Sequence, residues 1–425
     1  GAAGRLLGIA FDIGTTTVVG YLADLDTGEQ LAVASLLNPQ TRYGADVVSR
    51  IDYAGRDAEA LATLQREIAG ALSAIMATTT AQVGAATDDI VAVTVVGNTT
   101  MQHLFLGVSP TALAQSPYIP AVTGAVCLSA EALGLAAYPD APVWALPSIA
   151  GWVGADTVAV LLASGAHRQD ELALVIDIGT NGEMAMGSRG RMVSCSTAAG
   201  PAFEGAHLSC GMRAADGAID SVRIDGAVEW HTIGESAPRG VCGSGLVDLV
   251  AAMLRSGLID ATGMMQPREA LVAMGQAALA ERITQSGRQR AFTLATVEEG
   301  AGGRPVVVSQ RDVRELQLAK GAIRAGIEIL MQELGITADD VRVIYLAGAF
   351  GNYIRPESAL AIGLMPRCPQ ARIVPVGNAA GSGARMALLS REALAEAARL
   401  AEQVEYLELS GRPDFQDRFA EAMVF

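Results

Sequence analysis

The sequence predicts an α/β protein built from two similar halves, and three observations carry that expectation. An apolar strand, then Asp-Ile-Gly-Thr, then a second strand occurs over residues 6–24 and again over residues 172–189. Between and after these hairpins, β-rich apolar runs alternate with stretches of helical apolar period, as in strands covered by helices. The composition is 51% hydrophobic with only 4% aromatic residues and 47 glycines, which suits an enzyme packed with Ala, Val and Leu rather than an aromatic-rich binding module.

In the first hairpin, Asp12 stands where a buried strand emerges, beside a tight turn that Gly14 permits. Thr15, Thr16 and Thr17 follow with hydroxyl and main-chain donors suited to phosphate oxygens, and a carboxylate beside phosphate suits magnesium. The second hairpin repeats this with Asp177, Gly179, Thr180, Asn181 and Gly182. Asp-Gly-Thr is also ordinary turn chemistry, but two copies, each after an apolar strand, favour a pair of loops clamping one polyphosphate.

Along the chain, residues 30–36 supply a third strand and Asn38-Pro39 ends the meander. Arg42 and Arg50 suit either contact with phosphate or a partner, or a solvated helix start with local ion pairs. Leu61, Leu64, Ile68, Leu72, Ile75 and Met76 mark a core-facing helix over residues 57–80. Residues 90–96 form a strand that delivers Asn98 and Thr99 to the carboxyl end of the sheet, where α/β proteins bind ligands; His103 beyond them reads as a satisfied helix histidine. The prolines between residues 109 and 147 leave that stretch illegible. Asp156 falls in the first turn of a helix just before the second hairpin, where it serves either as a dipole partner or as the carboxylate that orders a water for in-line attack on a terminal phosphate.

In the second half, Glu204 and His207 sit in a Gly-rich loop that could cover a nucleotide or present a surface to a partner, with Glu204 alternatively a loop anchor. Asp225-Gly226 signals a hairpin. Gly243-Ser244-Gly245 precedes an apolar helix and suits an anion or ribose, or simple capping. A helix over residues 310–334 leads to a strand ending in Gly348, Ala349, Phe350 and Gly351, small enough in its backbone to lie flat against a purine. Gly377, Gly381 and Gly383 enter a helix near the end, where small residues permit the close crossing that a hinge needs.

A net charge of −15 with no basic tract argues against nucleic acid as partner. No apolar run spans a bilayer, and five cysteines without CxxC spacing give no Fe–S or zinc framework and point to reduced thiols in the cytoplasm. The chain opens Gly-Ala-Ala-Gly without Met, which reads as an expression scar and leads us to expect a native segment upstream.

In order and spacing, these pieces resemble the five motifs of the actin, sugar-kinase and heat-shock chaperone ATPase superfamily: phosphate motifs at residues 12–17 and 177–182, connecting helices at 156–165 and 377–388, and an adenosine motif at 346–351. The wording DIGTTTVVGYL, NPQTRYGADVVSRI, VVGNTTMQHLFLG, GVCGSGLVDLV and IYLAGAFGNYI is similar to the ATPase portion of the reductive activators of corrinoid-dependent enzymes. The resemblance implies an actin-like ATPase fold of two RNase H-like halves around a nucleotide cleft. The first half would span residues 5–170, with 379–425 packing back on it, and the second 171–378. It implies ATP or ADP with Mg²⁺ held by Asp12 and Asp177, phosphates bound by Gly14, Thr15, Thr16, Thr17, Gly179, Thr180, Asn181 and Gly182, and nucleoside contacts from Gly243, Ser244, Gly348, Ala349, Phe350 and Gly351. Asp156, with Asp12 and Asp177, would carry catalysis. It also implies a [2Fe–2S] cluster in a separate N-terminal domain and none in this chain, a homodimer, and docking on the corrinoid protein of a methyltransferase system whose Co(II) is reduced to Co(I). A small-molecule kinase of the same superfamily, acting on a sugar or acyl group, is the second reading, and a nucleotide-switched binding module the third.

Overall fold

The computed structural model describes residues 5–205, 208–287, 289–348 and 353–425. Contacts divide the chain into two units: one holds the residues up to Val175 with Gly187–Cys195 and Asn378–Leu407, the other Ile176–Met186, Ser196–Gly377 and Glu408–Phe425.

The chain opens with β1 (Leu7–Ile13), β2 (Thr17–Asp24) and β3 (Gln30–Leu37), the antiparallel meander that the sequence predicts. After α1 (Val47–Ala54) comes α2 (Ala58–Gln82), started by Asp57, whose carboxylate accepts from the Ala60 amide at 2.7 Å. Its Leu64, Ile68, Leu72 and Ile75, at helical spacing, are wholly buried in the core with Phe11 and Leu22 of the meander. β4 (Ile90–Gly97) runs parallel to β1, and α3 (Thr99–Leu106) leaves its end. The illegible stretch supplies β5 (Val126–Ser129), α4 (Ala130–Leu133) and β6 (Pro142–Ala145), which extend the sheet beyond β4 in the order β3-β2-β1-β4-β6-β5. Then comes α5 (Ala155–Ser164).

β7 (Ala173–Ile178), β8 (Gly182–Ser188) and β9 (Arg191–Thr197) repeat the opening. β10 (Ala218–Asp225) and β11 (Ala227–Thr232) form the expected antiparallel hairpin, turned by Gly226 at φ +70, and β12 (Gly240–Val241) adds to it. Next are α6 (Gly243–Arg255), α7 (Arg268–Ala273) and α8 (Ala277–Glu281), then a small sheet of β13 (Ile283–Ser286), β14 (Gln289–Ala295) and β15 (Val306–Ser309). α9 (Gln310–Leu334) begins in a capping box of Ser309 and Asp312 and buries Leu316, Ile323, Ile327 and Leu330. β16 (Val343–Ala347), α10 (Pro356–Ala361) and β17 (Arg372–Gly377) follow, then α11 (Ala379–Leu389), α12 (Arg391–Gln403), β18 (Glu405–Tyr406) and α13 (Pro413–Glu421). The second large sheet runs β17-β16-β7-β8-β9-β18. Both sheets therefore share one plan, in which the third, second and first strands of a meander are extended on the first strand's side by later strands, and in the second sheet β18 is added beyond the third strand. Pro375 is tolerated in β17 because that strand is an edge.

α11 belongs to the first unit and lies on α5, β1 and β4. Gly383 makes the helix crossing possible, since a Cβ there would stand 2.0 Å from the Ala159 carbonyl oxygen. α12 is held to the end of α5 by Glu396, which accepts from His167 Nε2 at 2.7 Å and from Arg168. Residues 408–425 do not join this return to the first half. α13 lies along α9 in the second unit, where Arg418 donates to Gln332 at 2.6 Å and to Glu328 at 3.3 Å. Helical period says that a face is buried and not which element covers it. Among the described residues no helix is long and apolar enough to cross a membrane.

Candidate active site

The first phosphate hairpin is held from four directions by side chains of its own unit. Gly14 closes the turn, its amide donating to the Thr17 carbonyl at 3.0 Å, and a Cβ there would stand 2.6 Å from that same oxygen. Asn38, wholly buried at the end of β3, donates from Nδ2 to the Gly14 carbonyl at 2.9 Å. Arg50 of α1, also wholly buried, donates from Nη2 to the Thr15 carbonyl at 2.5 Å and from Nε to the Gly44 carbonyl at 2.9 Å. Asn98 caps α3 through Oδ1 and donates from Nδ2 to Thr15 Oγ1 at 3.0 Å. Asn378 donates to Asp12 Oδ2 at 3.0 Å. Thr15 is buried, Thr16 half-buried and Thr17 exposed. Of the two readings the sequence left for Arg50, neither describes these bonds, which go to the hairpin's own backbone. Arg42 pairs with Glu67 at 3.3 Å on the surface.

Asp156 shares this unit with Asp12. Its Oδ1 accepts from the Thr157 amide at 2.7 Å in the first turn of α5. The start of α5 comes so close to the end of β4 that a Cβ on Gly154 would lie 2.5 Å from Asn98 Cα and 2.6 Å from the Gly97 carbonyl oxygen. Gly154→Ala is therefore expected to destabilise the chain by about 1–3 kcal/mol, the usual cost of overpacking. A urea melt would check the effect.

Burial pushes Asp12 up to about 6, opposed by the Asn378 hydrogen bond. Burial likewise pushes Asp156 up to about 7, with the Thr157 amide opposing and the charge of Asp12 adding to the rise. Both residues keep some accessible surface, so each carboxylate can still reach a ligand. Among the described residues no three His, Cys, Asp or Glu gather as a metal cluster. Mg²⁺ requires none, since it keeps waters and takes one or two carboxylates together with phosphate oxygens. Asp12, enclosed beside a second acid, is a donor that a cation would suit.

In the second unit, the Gly179 amide donates to the Asn181 carbonyl at 3.0 Å, matching the turn at Gly14, and Thr180 Oγ1 donates to Glu204. Glu204 thus takes the loop-anchor role. Gly182 serves packing, its missing Cβ leaving room for Ile323 of α9, 2.7 Å away. Gly348 sits at φ +91 against Asp177, where a Cβ would come within 2.7 Å of the carboxylate Oδ1, and its amide donates to the Gly377 carbonyl at 3.0 Å. Ala349, Phe350 and Gly351 lie outside the described residues, as does His207. Gly243, Ser244 and Gly245 form the first turn of α6 rather than a loop ahead of it. Gly243 lies against the Phe203 carbonyl, where a Cβ would be 1.8 Å away, and Ser244 is buried with Oγ 3.3 Å from Cys242 Sγ. These residues pack tightly against protein. At the other end of α6, a cavity of about 680 Å³ is lined by Arg223, Arg255, Gln276 and Arg355, the last a few residues beyond the adenosine motif and bonded through Nε to buried Asp248 at 2.6 Å.

His103 is the satisfied histidine expected. Its Nδ1 bonds the Thr99 carbonyl at 2.7 Å and its Nε2 accepts from the Ala121 and Val122 amides. Thr99 donates to the Ala150 carbonyl at 2.6 Å. The sequence reading missed Asn38 and Asn378. A signal was present for Asn378, because Gly-Asn at a strand end before a helix occurs at both Gly97-Asn98 and Gly377-Asn378.

Comparison with known proteins gives the family. The family model described as the C-terminal domain of RACo, the ASKHA domain, matches residues 171–425, and the RACo middle region matches residues 7–169. The chain belongs to the RACo family of reductive activators. It is 40% identical over 416 residues to the corrinoid activation enzyme RamQ of Eubacterium limosum, spanning 97% of this chain and 69% of that one. It is 29% identical over 282 residues to the [Co(II) methylated amine-specific corrinoid protein] reductase of Methanosarcina barkeri, over 61% of this chain and 46% of that one. The solved reductive activator for corrinoid, iron-sulfur protein superposes with a TM-score of 0.90 at 36% identity, covering 100% of this chain and 67% of that one. The fold is accordingly the actin-like ATPase fold, and the chain is an ATP-dependent enzyme that binds nucleotide.

Proposed function

We propose that this RACo-family chain hydrolyses ATP to drive the reduction of a Co(II) corrinoid protein to Co(I). The observation that carries the reading is the Asp12 hairpin, braced by Asn38, Arg50, Asn98 and Asn378 beside Asp156, in a family whose named relatives are corrinoid activators. Asp12 and Asp177 are our choice for the Mg²⁺ ligands. The ion would neutralise phosphate charge and polarise the terminal phosphoryl group. Thr15, Thr16, Thr17 and residues 179–182 would bind phosphate oxygens. Asp156 would hold the attacking water and accept its proton, work for which a carboxylate raised to about 7 is suited. Gly348 with Ala349, Phe350 and Gly351 would flank the adenine, and Arg355 and Arg255 in the cavity would face the nucleoside. The packing around Gly243 and Ser244 supports a scaffold role for them.

Nucleotide changes a partner's redox chemistry only if it favours one state of the complex over another, so ATP must bind the state in which cobalt is easier to reduce. We assign the electron to a [2Fe–2S] domain outside residues 1–425, and the corrinoid protein to a methyltransferase system met by a homodimer in the cytoplasm. The test is ATP turnover with and without Co(II) corrinoid protein, while Co(I) formation is followed by absorbance under a low-potential donor. Turnover is expected to rise with the corrinoid protein, and Co(I) is expected to require ATP. A phosphorylated sugar or acyl product would return the kinase reading, and absence of Mg-ATP binding by calorimetry would remove both.

A further inference from the structure

The side-chain amide of Asn378 bonds Gly381 and Asp12 in the one orientation that satisfies both. Its Oδ1 accepts from the Gly381 amide at 2.8 Å, capping α11, and its Nδ2 donates to Asp12 Oδ2 at 3.0 Å. A backbone N–H requires an acceptor and a carboxylate oxygen here requires a donor, so turning the amide over would break both contacts. The helix that carries Asn378 rests on β1, β2, β4 and α5, the elements that present Asp12 and Asp156. Little slack exists beneath it. A Cβ on Gly381 would stand 2.4 Å from Tyr21 Cε2, and the Tyr21 hydroxyl, hydrogen-bonded to Asn378, is pushed up to about 12 by burial and by the charge of Asp12.

We propose that Asn378 is a positioning residue that fixes the Asp12 carboxylate for Mg²⁺-nucleotide and ties its orientation to the seating of α11. Shifting α11 draws the Nδ2 donor away from Asp12, and a carboxylate turned out of place alters the helix cap in return. This rests on the reading that Asp12 serves the Mg²⁺-nucleotide complex.

The test uses Asn378→Ser, because serine caps a helix as well as asparagine does but has no Nδ2 to offer Asp12. Calorimetry would measure ADP binding in EDTA and then Mg²⁺ binding to the ADP-loaded chain, alongside the Mg²⁺ dependence of turnover. The expected result is ADP affinity in EDTA within about twofold of wild type, a slightly lowered melting temperature, and Mg²⁺ affinity weakened by about tenfold or more, the loss of one charge-assisted hydrogen bond. Gly381→Ala, which keeps Asn378 but pushes α11 against Tyr21, is expected to weaken Mg²⁺ binding in the same direction. Wild-type Mg²⁺ dependence in both variants overturns the proposal, and so does an equal loss of ADP affinity with and without Mg²⁺, which would mark a merely structural role. Should the wild-type chain bind no Mg-ADP, the proposed function itself fails, and that outcome is read before any variant is made.

Discussion

Asp156→Asn is expected to lower ATP turnover by about a hundredfold or more while raising the melting temperature of the nucleotide-free chain. The loss follows from removing the group proposed to take the proton from the attacking water. The gain in stability follows from the two enclosed acids. An unfolded aspartate titrates near 3.8, whereas Asp12 and Asp156 are pushed up to about 6 and about 7 by burial, with their mutual repulsion adding to the rise at Asp156. Between those limits the folded chain binds more protons than the unfolded one, so these groups make folding less favourable as pH rises from about 4 to about 7, and the full penalty is present above that. An asparagine has no charge to desolvate and also relieves Asp12 of a like charge. A rise of roughly 2–4 °C at pH 8, shrinking toward zero by pH 4–5, is the size that about one kcal/mol would produce. Scanning calorimetry across that range decides the point: a variant that melts lower at pH 8 contradicts the stored repulsion, and one that turns ATP over normally removes Asp156 from the chemistry. Cation binding should offset the same repulsion, so Mg-nucleotide should stabilise wild type more than the variant.

Arg50→Met is expected to destabilise the first unit by about 2–5 kcal/mol and to weaken Mg-ATP binding with it. The guanidinium is wholly buried and serves the Thr15 carbonyl at 2.5 Å and the Gly44 carbonyl at 2.9 Å, with Gln40 Oε1 at 3.5 Å. Methionine fills much of the volume but leaves those carbonyls without their charged donor in a site that water does not reach. Arg50→Lys should recover little of the loss, since a single ammonium cannot span donors that the fork sends to two separate backbone carbonyls. Urea titration followed by nucleotide calorimetry would separate the effects. If the lysine variant matched wild type in both, the bracing role would be wrong.

The same two residues show how far sequence reasoning reaches. Asp156 was legible as a candidate because a carboxylate at a helix start just ahead of a phosphate hairpin is a local pattern. Arg50 was visible only as a cation with two possible uses, and the structure assigns it a third, because the hairpin carbonyl it serves, that of Thr15, lies thirty-five residues away in the chain. Asn378 lies 366 residues from Asp12, and only its Gly-Asn junction, shared with Asn98, hints at a common task. The stretch over residues 109–147 hid two strands, since β5 and β6 are four residues each and β6 begins with proline, too short for a period to register. α2 and α9 were legible nearly to the residue because each is 25 residues long and repeats its buried face many times.

By itself the sequence determined the twin hairpins, the long helices, the α/β class and the family, because each is written in neighbours a few residues apart or in an order of motifs along the chain. Only the tertiary structure decided which side chains hold the first hairpin in shape, that Asp12 and Asp156 are enclosed close enough for their charges to oppose one another, and that α13 rests on α9 rather than on the first half. Those outcomes depend on burial and on partners brought together by folding, and neither quantity is a property of any local run of residues.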